Sequence, residues 1–224
     1  MIIEAVTVSV DYSPWLRQVV SNKDKFDRWI IATHESDRDT IRVCEDNGLE
    51  YVLSERVFDD AWFAKGRAIN DALQLVDGDG WLVNVDADIL LPNTFRKETE
   101  LFCNNKDALY GMMRESKEGR LMKHNFRKTV THRTKNQRST TQLGTLGAIG
   151  YFQMWHSDNR RWYAEDSKTG ADDDCSFMFS FKPKVPKRSY RENWQMLPSR
   201  CTDVCGKQGH FSKHFYGLRN MNMV

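Results

Sequence analysis

The sequence predicts an α/β fold with a mostly parallel central sheet and a less regular second half. Two observations support this prediction. Over about the first 90 residues, short apolar runs alternate with amphipathic runs of helical length, as expected of successive βαβ units. In addition, residues 81–85 (WLVNV) are too apolar to be exposed on both faces, so they indicate a buried strand.

Length and composition favour one globular domain. A chain of 224 residues can bury a substantial core. Its 40% hydrophobic and 12% aromatic content exceeds that of a disordered chain. No segment reaches the roughly 18 consecutive apolar residues of a transmembrane helix, so we expect a soluble protein without a membrane span.

Two features predict a cytoplasmic location. The start of the chain, MIIEAV, has neither the basic region nor the cleavage site of a signal peptide. The five cysteines are odd in number and dispersed, which agrees with a reducing compartment.

In the first half we predict strands at 5–10, 28–33, 50–53 and 81–85, and helices at 14–21, 36–46 and 63–76. Pro14 suits the first turn of its helix, because its φ is already helical. Ser36 is the predicted cap of the second helix, and Gly48 is the predicted end.

The second half is less periodic. We predict a helix at 94–102, a strand at 108–113, a long loop at 119–138, a strand-like run at 144–154, a helix or strand at 175–181 and an irregular tail at 200–224.

Two carboxylates follow the buried strand. Asp86 and Asp88 are two positions apart, so on an extended chain their side chains point the same way and can converge on one ion. Carboxylate oxygens suit Mg²⁺ or Mn²⁺, and ligands of open α/β sheets bind at the carboxyl ends of the strands. The alternative is a solvated, Asp-rich turn.

At these residues the sequence resembles the glycosyltransferases of the GT-A fold, in particular the large family-two group and its viral or phage members. Residues 6–11 (VTVSVD) resemble the group's first nucleotide-binding strand, and 64–70 (AKGRAIN) resemble its KGRALN-type helix start. Residues 81–88 resemble its hydrophobic strand followed by DxD. The resemblance covers nearly the whole chain and is most specific in the first 90 residues.

The resemblance implies a single GT-A domain with a Rossmann-like half for the nucleotide sugar at 1–92 and an acceptor half with a tail at 93–224. It also implies a UDP-sugar donor and Mn²⁺ or Mg²⁺. The metal ligands are then Asp86, which also contacts ribose, and Asp88. The other implied donor-binding residues are Val10, Asp11, Tyr12, Lys65, Arg67 and Ala87. For a viral member the location is the host cytoplasm.

An acidic run, Gly170 to Asp174 (GADDD), resembles the family's acidic motif on the acceptor side. In inverting members a carboxylate there acts as the base, which makes Asp172 or Asp173 the candidate. The alternative is a helix N-terminus, where three Asp residues complement the macrodipole. Whether transfer inverts or retains the anomeric configuration stays open.

The end of the chain departs from the family pattern. Members often carry a His before a Leu-Gly, whereas residues 204–206 here are Val-Cys-Gly. His210 or Asp203 is the candidate for that metal ligand. A separate hypothesis is a zinc site, because four zinc-type side chains fall within 14 residues: Cys201, Cys205, His210 and His214.

Residues 114–138 contain nine Lys or Arg and two Glu, whereas the whole chain carries a net charge of +2. Such a run is ordinarily a solvated loop. The sharper hypothesis is an anionic acceptor, such as a flipped hydroxymethylated base in DNA, with a glycan as the next choice. The candidate acceptor contacts are Lys123, Arg127, Lys128, Trp155 and Tyr163, with Trp162 beside them, although these aromatic residues are equally typical of a core.

Two other functions are compatible with these motifs. A nucleotidyltransferase also uses paired carboxylates, but residues 11–14 (DYSP) offer no glycine-rich phosphate loop. A nucleic-acid-binding module would use the basic run alone, and the DxD would then be incidental. The oligomeric state stays open.

Overall fold

The computed structural model describes residues 1–59, 62–121, 150–165, 170–181 and 194–205. The strands are β1 (Ile3–Val8), β2 (Arg28–Thr33), β3 (Glu50–Leu53), β4 (Phe58–Asp59), β5 (Trp62–Phe63), β6 (Trp81–Val85), β7 (Ile89–Leu90), β8 (Leu109–Ser116), β9 (Phe152–His156) and β10 (Trp194–Asp203). The helices are α1 (Ser13–Val19), α2 (Arg38–Asn47), α3 (Lys65–Leu73), α4 (Phe95–Phe102) and α5 (Gly170–Ser180). Short 3-10 segments occupy Val20–Lys25, Glu55–Val57 and Ser157–Asn159.

Eight of these strands form one sheet in the order β3-β2-β1-β6-β9-β8-β10-β7, and β4 pairs with β5 separately. The strands β3, β2, β1 and β6 are parallel neighbours, which confirms the predicted parallel first half. β9 runs antiparallel to β6 and β8, and β7 runs antiparallel to β10. The sheet is therefore mostly parallel, and the α/β prediction is confirmed.

Helices cover both faces of the sheet because its central strands are apolar on both faces. In β6, Val83 packs in the cluster that contains Leu16 of α1 and Val43 of α2. Its neighbour Leu82 points to the other face, where it packs in the cluster that contains Ile69 of α3. This alternation produces three layers, and all five residues of β6 are buried.

The sheet curls back on itself beyond β6. Only residues 86–88 connect β6 to β7, yet three strands lie between those two in the sheet. Four strand spacings amount to about 19 Å in a flat sheet. The four residue steps from Val85 to Ile89 reach at most about 14 Å, so a flat sheet could not be connected this way. The curl brings β7 and β10 close to the end of β6.

The start of α2 corrects one prediction. Asp37, not Ser36, caps this helix: its Oδ1 accepts a hydrogen bond from the Thr40 N–H at 3.1 Å. Gly48 ends the helix with a left-handed φ of 57°, as predicted. Asp37 is better placed to cap the helix because it is 94% buried against the loop that follows β1. Ser36 is exposed, and its side chain bonds to His34.

The second half contains more regular structure than the sequence indicated. The predicted irregular tail is wrong from residue 200 to 203, because these residues belong to the ten-residue strand β10. Residues 175–180 lie in a helix, which resolves the helix-or-strand alternative. Pairing with β8 stabilises β10, and this partner is remote in sequence, so local patterns do not reveal it.

None of the helices within the described ranges is both long and apolar enough to cross a bilayer.

Candidate functional site

The site lies where the parallel strands β1 and β6 end side by side. Ile3 of β1 pairs with Trp81 of β6 and the register continues to Val6 and Asn84, so both strands finish at the same edge of the sheet. The segments that leave this edge are 9–12 and 86–88. They carry several of the predicted donor-binding side chains, and the curled C-terminal strand β10 approaches them from the other side.

Asp11 sits in a backbone conformation that few residues adopt. Its φ is 54°, and Asp is among the few non-glycine residues that tolerate this region. The Asp11 N–H donates to Oδ2 of Asp37 at 2.7 Å, so the cap of α2 also holds the loop after β1. Asp11 is exposed, Tyr12 is partly buried and Val10 is buried, so the loop presents one polar and one aromatic side chain.

Lys65, at the start of α3, connects two acidic segments. Its Nζ lies 2.8 Å from Oδ1 of Asp86 and 3.1 Å from Oδ1 of Asp174, and it reaches the carbonyl oxygen of Gly150 at 3.5 Å. The exposed fraction of its side chain is 11%, against 33% for Asp86 and 14% for Asp174. A single ammonium thus holds the first Asp of the DxD and the last Asp of the acidic run together.

The protonation of this cluster follows from burial and charge. Burial disfavours the charged form of Lys65, but Asp174 and Asp86 outweigh it and raise the pKa of Lys65 above its usual value. Burial raises the pKa of Asp174 to about 7, aided by Asp86 and opposed by Lys65. Asp174 therefore takes up a proton more readily than an ordinary aspartate does.

Asp173 has a different position. It is 1% exposed, and its Oδ2 accepts a hydrogen bond from the Gly66 N–H at 2.8 Å, in the first turn of α3. A Cβ on Gly66 would lie 2.4 Å from the carbonyl oxygen of Ala164, so only glycine allows this close approach. Asp173 thus ties α5 to the N-terminus of α3, where a negative charge is favourable.

Sequence reasoning did not single out Asp174. All three Asp residues of the run lie in the first turns of α5, as the helix N-terminus alternative predicted. Successive helical residues point in different directions, about 100° apart, so the run cannot act as one group. The side chain of Asp172 lies outside the described structure. Predicting a helix over 170–180 from the sequence would have indicated that Asp172, Asp173 and Asp174 point in different directions and have different partners.

A second cluster surrounds Asp88. Its Oδ2 lies 2.8 Å from Sγ of Cys205, and Sγ also lies 3.2 Å from Oδ1 of Asp203. These three ligand atoms fall within 4.8 Å of one another. Asp88 is 5% exposed, Asp203 0% and Cys205 7%, so two carboxylates and a thiol meet inside the protein. Burial and the neighbouring carboxylates raise the pKa of Cys205 above its usual value.

Among the described residues, the two carboxylates of the DxD contact different side chains. Asp86 points to Lys65, and Asp88 points to the cluster with Asp203 and Cys205. The extended geometry behind the predicted convergence ends at Asp86, because residues 87 and 88 form a turn in which the Ile89 N–H donates to the Asp86 carbonyl. The intervening Ala87 is 2% exposed and packs in the core.

Arg114 is a buried cation next to the Asp88 cluster. Its Nη1 lies 3.4 Å from Oδ2 of Asp203, and the two side chains are 5% and 0% exposed. Its guanidinium also lies over the ring of Tyr151, 4.8 Å from the centroid. Arg114 is also the first residue of the basic run 114–138. Because its side chain is buried, this residue of the run is not part of a solvated loop.

Arg67 contacts the segment before α5. Its Nε donates to the carbonyl oxygen of Glu165 at 2.9 Å. The neighbouring Asn70 also binds this segment, through Oδ1 to the Tyr163 N–H and through Nδ2 to the Tyr163 carbonyl. The start of α3 is thereby fixed against residues 163–165.

The predicted stacking surfaces are corrected. Trp155 is fully buried and Tyr163 is 2% exposed, and the Tyr163 ring stacks on Phe177 at a centroid distance of 4.0 Å. These rings fill the core between the sheet and α5, which is the packing role considered as the alternative. Trp162 is 48% exposed, with Arg160 over its ring.

Four predicted site residues lie outside the described structure: Lys123, Arg127, Lys128 and His210. His214 of the zinc hypothesis lies outside it as well. Of the two cysteines in that hypothesis, Cys201 bonds to the Met113 carbonyl at 3.5 Å, whereas Cys205 contacts the carboxylates.

Comparisons with known proteins identify the architecture. No protein-family model matches the chain, and no curated protein matches it significantly. Among solved structures, S. aureus TarS 1–349 superimposes with a TM-score of 0.57 over 91% of this chain and 60% of that chain, at 12% identity. A longer S. aureus TarS structure gives a TM-score of 0.58 over 91% of this chain and 37% of that chain, also at 12% identity.

Glucosyl-3-phosphoglycerate synthase from Mycobacterium tuberculosis, in complex with Mn²⁺, uridine diphosphate and glucosyl-3-phosphoglycerate, gives a TM-score of 0.41 at 18% identity over 51% of this chain and 44% of that chain. The chain thus spans less than two thirds of each of these proteins. TarS is a GT-A glycosyltransferase, and the superposition on it shows that this chain has the GT-A fold.

Proposed function

We propose that this protein is a metal-dependent glycosyltransferase that moves a sugar from a nucleotide sugar, a UDP-sugar in the first instance, to an acceptor hydroxyl. One observation carries the proposal. In a GT-A sheet, the loop after β6 places Asp88 beside Asp203 and Cys205, at the edge where open α/β sheets bind their ligands.

These side chains fit a divalent cation. Two buried carboxylates and a thiol supply oxygen and sulfur donors within 4.8 Å of one another. When bound, such an ion supplies positive charge opposite a departing diphosphate. His210, as a further metal ligand, stays a prediction from the sequence.

Donor binding is assigned to residues at the ends of β1 and β6. Asp11 and Tyr12 line the nucleoside pocket with Val10 behind them, and Asp86 contacts the ribose. Lys65 holds the Asp86 carboxylate at 2.8 Å and so orients it before a donor arrives. A preorganised carboxylate loses less conformational entropy when the donor binds.

Transfer also requires a base for the acceptor hydroxyl if the reaction inverts the sugar. Of the two candidates predicted from the sequence, Asp173 accepts a backbone hydrogen bond and is 1% exposed, which makes it poorly suited to reach an acceptor. We therefore assign the base to Asp172. The half at 1–92 would bind the donor and the half at 93–224 the acceptor.

For the acceptor we propose an anionic molecule, with hydroxymethylated DNA first and a glycan second. The support is the positive charge of residues 114–138, including Lys123, Arg127 and Lys128. The cytoplasm is the proposed location, since the four cysteines with described side chains form no disulfide.

The test is a screen of nucleotide sugars with Mn²⁺ or Mg²⁺, scored for donor hydrolysis and for mass added to hydroxymethylated DNA, unmodified DNA and glycans. We expect UDP-sugar turnover that a chelator stops and that Asp88→Asn lowers by at least about 100-fold. Asp79→Asn is the matched control, because Asp79 is exposed at the opposite end of β6. Turnover of no donor, or an unaffected Asp88→Asn variant, contradicts the proposal.

A further inference from the structure

We propose that Asp88, Asp203 and Cys205 form a mixed carboxylate and thiolate site for one transition-metal ion. The thiolate of Cys205 makes this site prefer Zn²⁺, Co²⁺ and Mn²⁺ to Mg²⁺. The inference rests on the proposed function for the role of the ion. It goes beyond that function by assigning a thiolate bond to Cys205 and by naming the class of metal that this bond selects.

The distances suit coordination by all three side chains. Sγ of Cys205 lies 2.8 Å from Asp88 Oδ2 and 3.2 Å from Asp203 Oδ1. In a tetrahedral site with metal–oxygen bonds of about 2.1 Å and a metal–sulfur bond of about 2.3 Å, the oxygen and sulfur atoms are about 3.6 Å apart. Side-chain shifts of less than about 1 Å therefore open the cluster enough to hold an ion.

The backbone holds the ligands in place. The Val204 N–H donates to the Asp88 carbonyl at 2.9 Å, and Asp203 pairs with Ile89 in the antiparallel ladder of β7 and β10. The Cys205 N–H donates to Oδ1 of Asp203 at 3.0 Å, which orients that carboxylate. The site is thus formed by two hydrogen-bonded segments and does not need to be assembled from flexible loops.

The local charge also favours a cation. Asp88 and Asp203 contribute two negative charges to the interior, and Arg114 supplies one positive charge at 3.4 Å from Asp203. When a divalent ion binds, the Cys205 thiol releases its proton to solvent and the sulfur bonds to the metal as a thiolate. Counted over the described residues, the charges of the three anionic ligands, the ion and Arg114 then sum to zero, which removes the cost of uncompensated buried charge.

The thiolate determines the metal preference. Carboxylate and water ligands suit Mg²⁺, whereas thiolates favour softer ions. Mg²⁺ also demands near-octahedral oxygen coordination and loses its waters reluctantly. A site with sulfur in its first coordination sphere therefore discriminates against Mg²⁺ even though two of its ligands are carboxylates.

Cys201 provides a matched control. Cys201 lies in β10, two residues before Asp203, and is buried like Cys205, but its Sγ bonds to the Met113 carbonyl at 3.5 Å. The present site uses Cys205 without Cys201, whereas the zinc hypothesis drawn from the sequence uses both. The two sites therefore predict opposite outcomes for substitution of Cys201.

The test is a Co²⁺ titration of the reduced, metal-free, full-length protein, without any donor. We expect one equivalent of Co²⁺ to produce the near-ultraviolet thiolate-to-cobalt charge-transfer band. Cys205→Ser should abolish this band and weaken Co²⁺ binding more than about tenfold, and Cys201→Ser should preserve both. A large excess of Mg²⁺ should fail to displace Co²⁺.

Absence of the band in the wild-type protein overturns the proposal, and so does its loss in Cys201→Ser with retention in Cys205→Ser. If Cys205→Ser does not fold, as judged by circular dichroism, cadmium-113 NMR of the wild-type protein decides. A chemical shift typical of one sulfur with oxygen ligands supports the site, and one typical of oxygen ligands alone overturns it.

Donor turnover is measured in parallel to separate the two proposals. An all-oxygen metal site with UDP-sugar turnover refutes the thiolate site and leaves the glycosyltransferase in place. A thiolate band without turnover of any donor supports the thiolate site and refutes the glycosyltransferase proposal.

Discussion

The ammonium of Lys65 lies 2.8 Å from Oδ1 of Asp86, so the start of α3 is joined to the end of β6. The same ammonium lies 3.1 Å from Asp174, which brings α5 into the contact. Three elements that are distant in sequence thus depend on one side chain. Because Lys65 is only 11% exposed, water compensates little for its loss.

Replacement of Lys65 by Met should destabilise the protein by about 3 kcal/mol, since it leaves two carboxylates without their shared cation. Activity should fall with it, because Asp86 loses its orientation. The measurement is the free energy of unfolding in urea, together with donor turnover. Lys106→Met is the matched control: its ion pair with Asp158 is exposed, so less than about 1 kcal/mol should be lost. Equal effects of the two substitutions would refute the role of Lys65.

Asp174 should make stability fall as pH rises from about 4 to about 7. Burial raises its folded pKa to about 7 from the usual 3.8, so in this window the folded state holds a proton that the unfolded state has lost. The contribution is fully present below the usual pKa and is lost as pH approaches the folded pKa. The difference in unfolding free energy between wild type and Asp174→Asn should therefore shrink by a few kcal/mol across the window.

Asp27 is the control of opposite sign. Burial alone would raise its pKa, but the Ile3 N–H and Arg96 outweigh this and lower it. Its contribution is present above the usual pKa and is lost as pH falls. The difference between wild type and Asp27→Asn should thus shrink towards acid pH. A pH-independent difference for Asp174→Asn would mean that Asp174 is ionised throughout the window.

Asp37→Ala should cost about 2 kcal/mol, because the carboxylate both caps α2 and accepts from the Asp11 N–H. It should also weaken nucleotide binding, since Asp11 then loses the contact that supports its φ of 54°. Ser36→Ala, at the neighbouring exposed position, should change stability by less than about 0.5 kcal/mol. Chemical denaturation and nucleotide titration measure the two effects. If Ser36→Ala lowers the free energy of unfolding more than Asp37→Ala does, then Ser36 is the cap, as the sequence predicted.

Gly66→Ala should destabilise the protein by about 1–3 kcal/mol, although alanine is the better helix former. The added methyl group would lie 2.4 Å from the Ala164 carbonyl oxygen and 3.1 Å from the Asp173 carboxyl carbon. It would push α3 away from α5 and so move Lys65. Gln74→Ala, at the exposed end of the same helix, is expected to be nearly neutral, as thermal unfolding can show. A stabilised Gly66→Ala variant would show that the contact is loose.

The first half of the fold was predictable because its signals are local. The strands 28–33, 50–53 and 81–85 match the structure residue for residue, since β-branched and apolar runs between turn residues identify buried parallel strands. β10 was missed because its residues are mixed in polarity, and its hydrogen bonds go to β8, some 85 residues away. Strand pairing at that distance leaves no periodic mark on the sequence.

The candidate site divides in the same way. The sequence alone pointed to Asp86 and Asp88, because both follow a strand with a clear hydrophobic pattern, whereas the resemblance of residues 64–70 to the KGRALN-type helix start implied Lys65. It could not show that Asp86 turns to Lys65 while Asp88 turns to Cys205, since this depends on the turn at 87–88 and on the curl of the sheet. Tertiary packing decides where each of these side chains points, because its partners lie on segments that only the folded chain brings together.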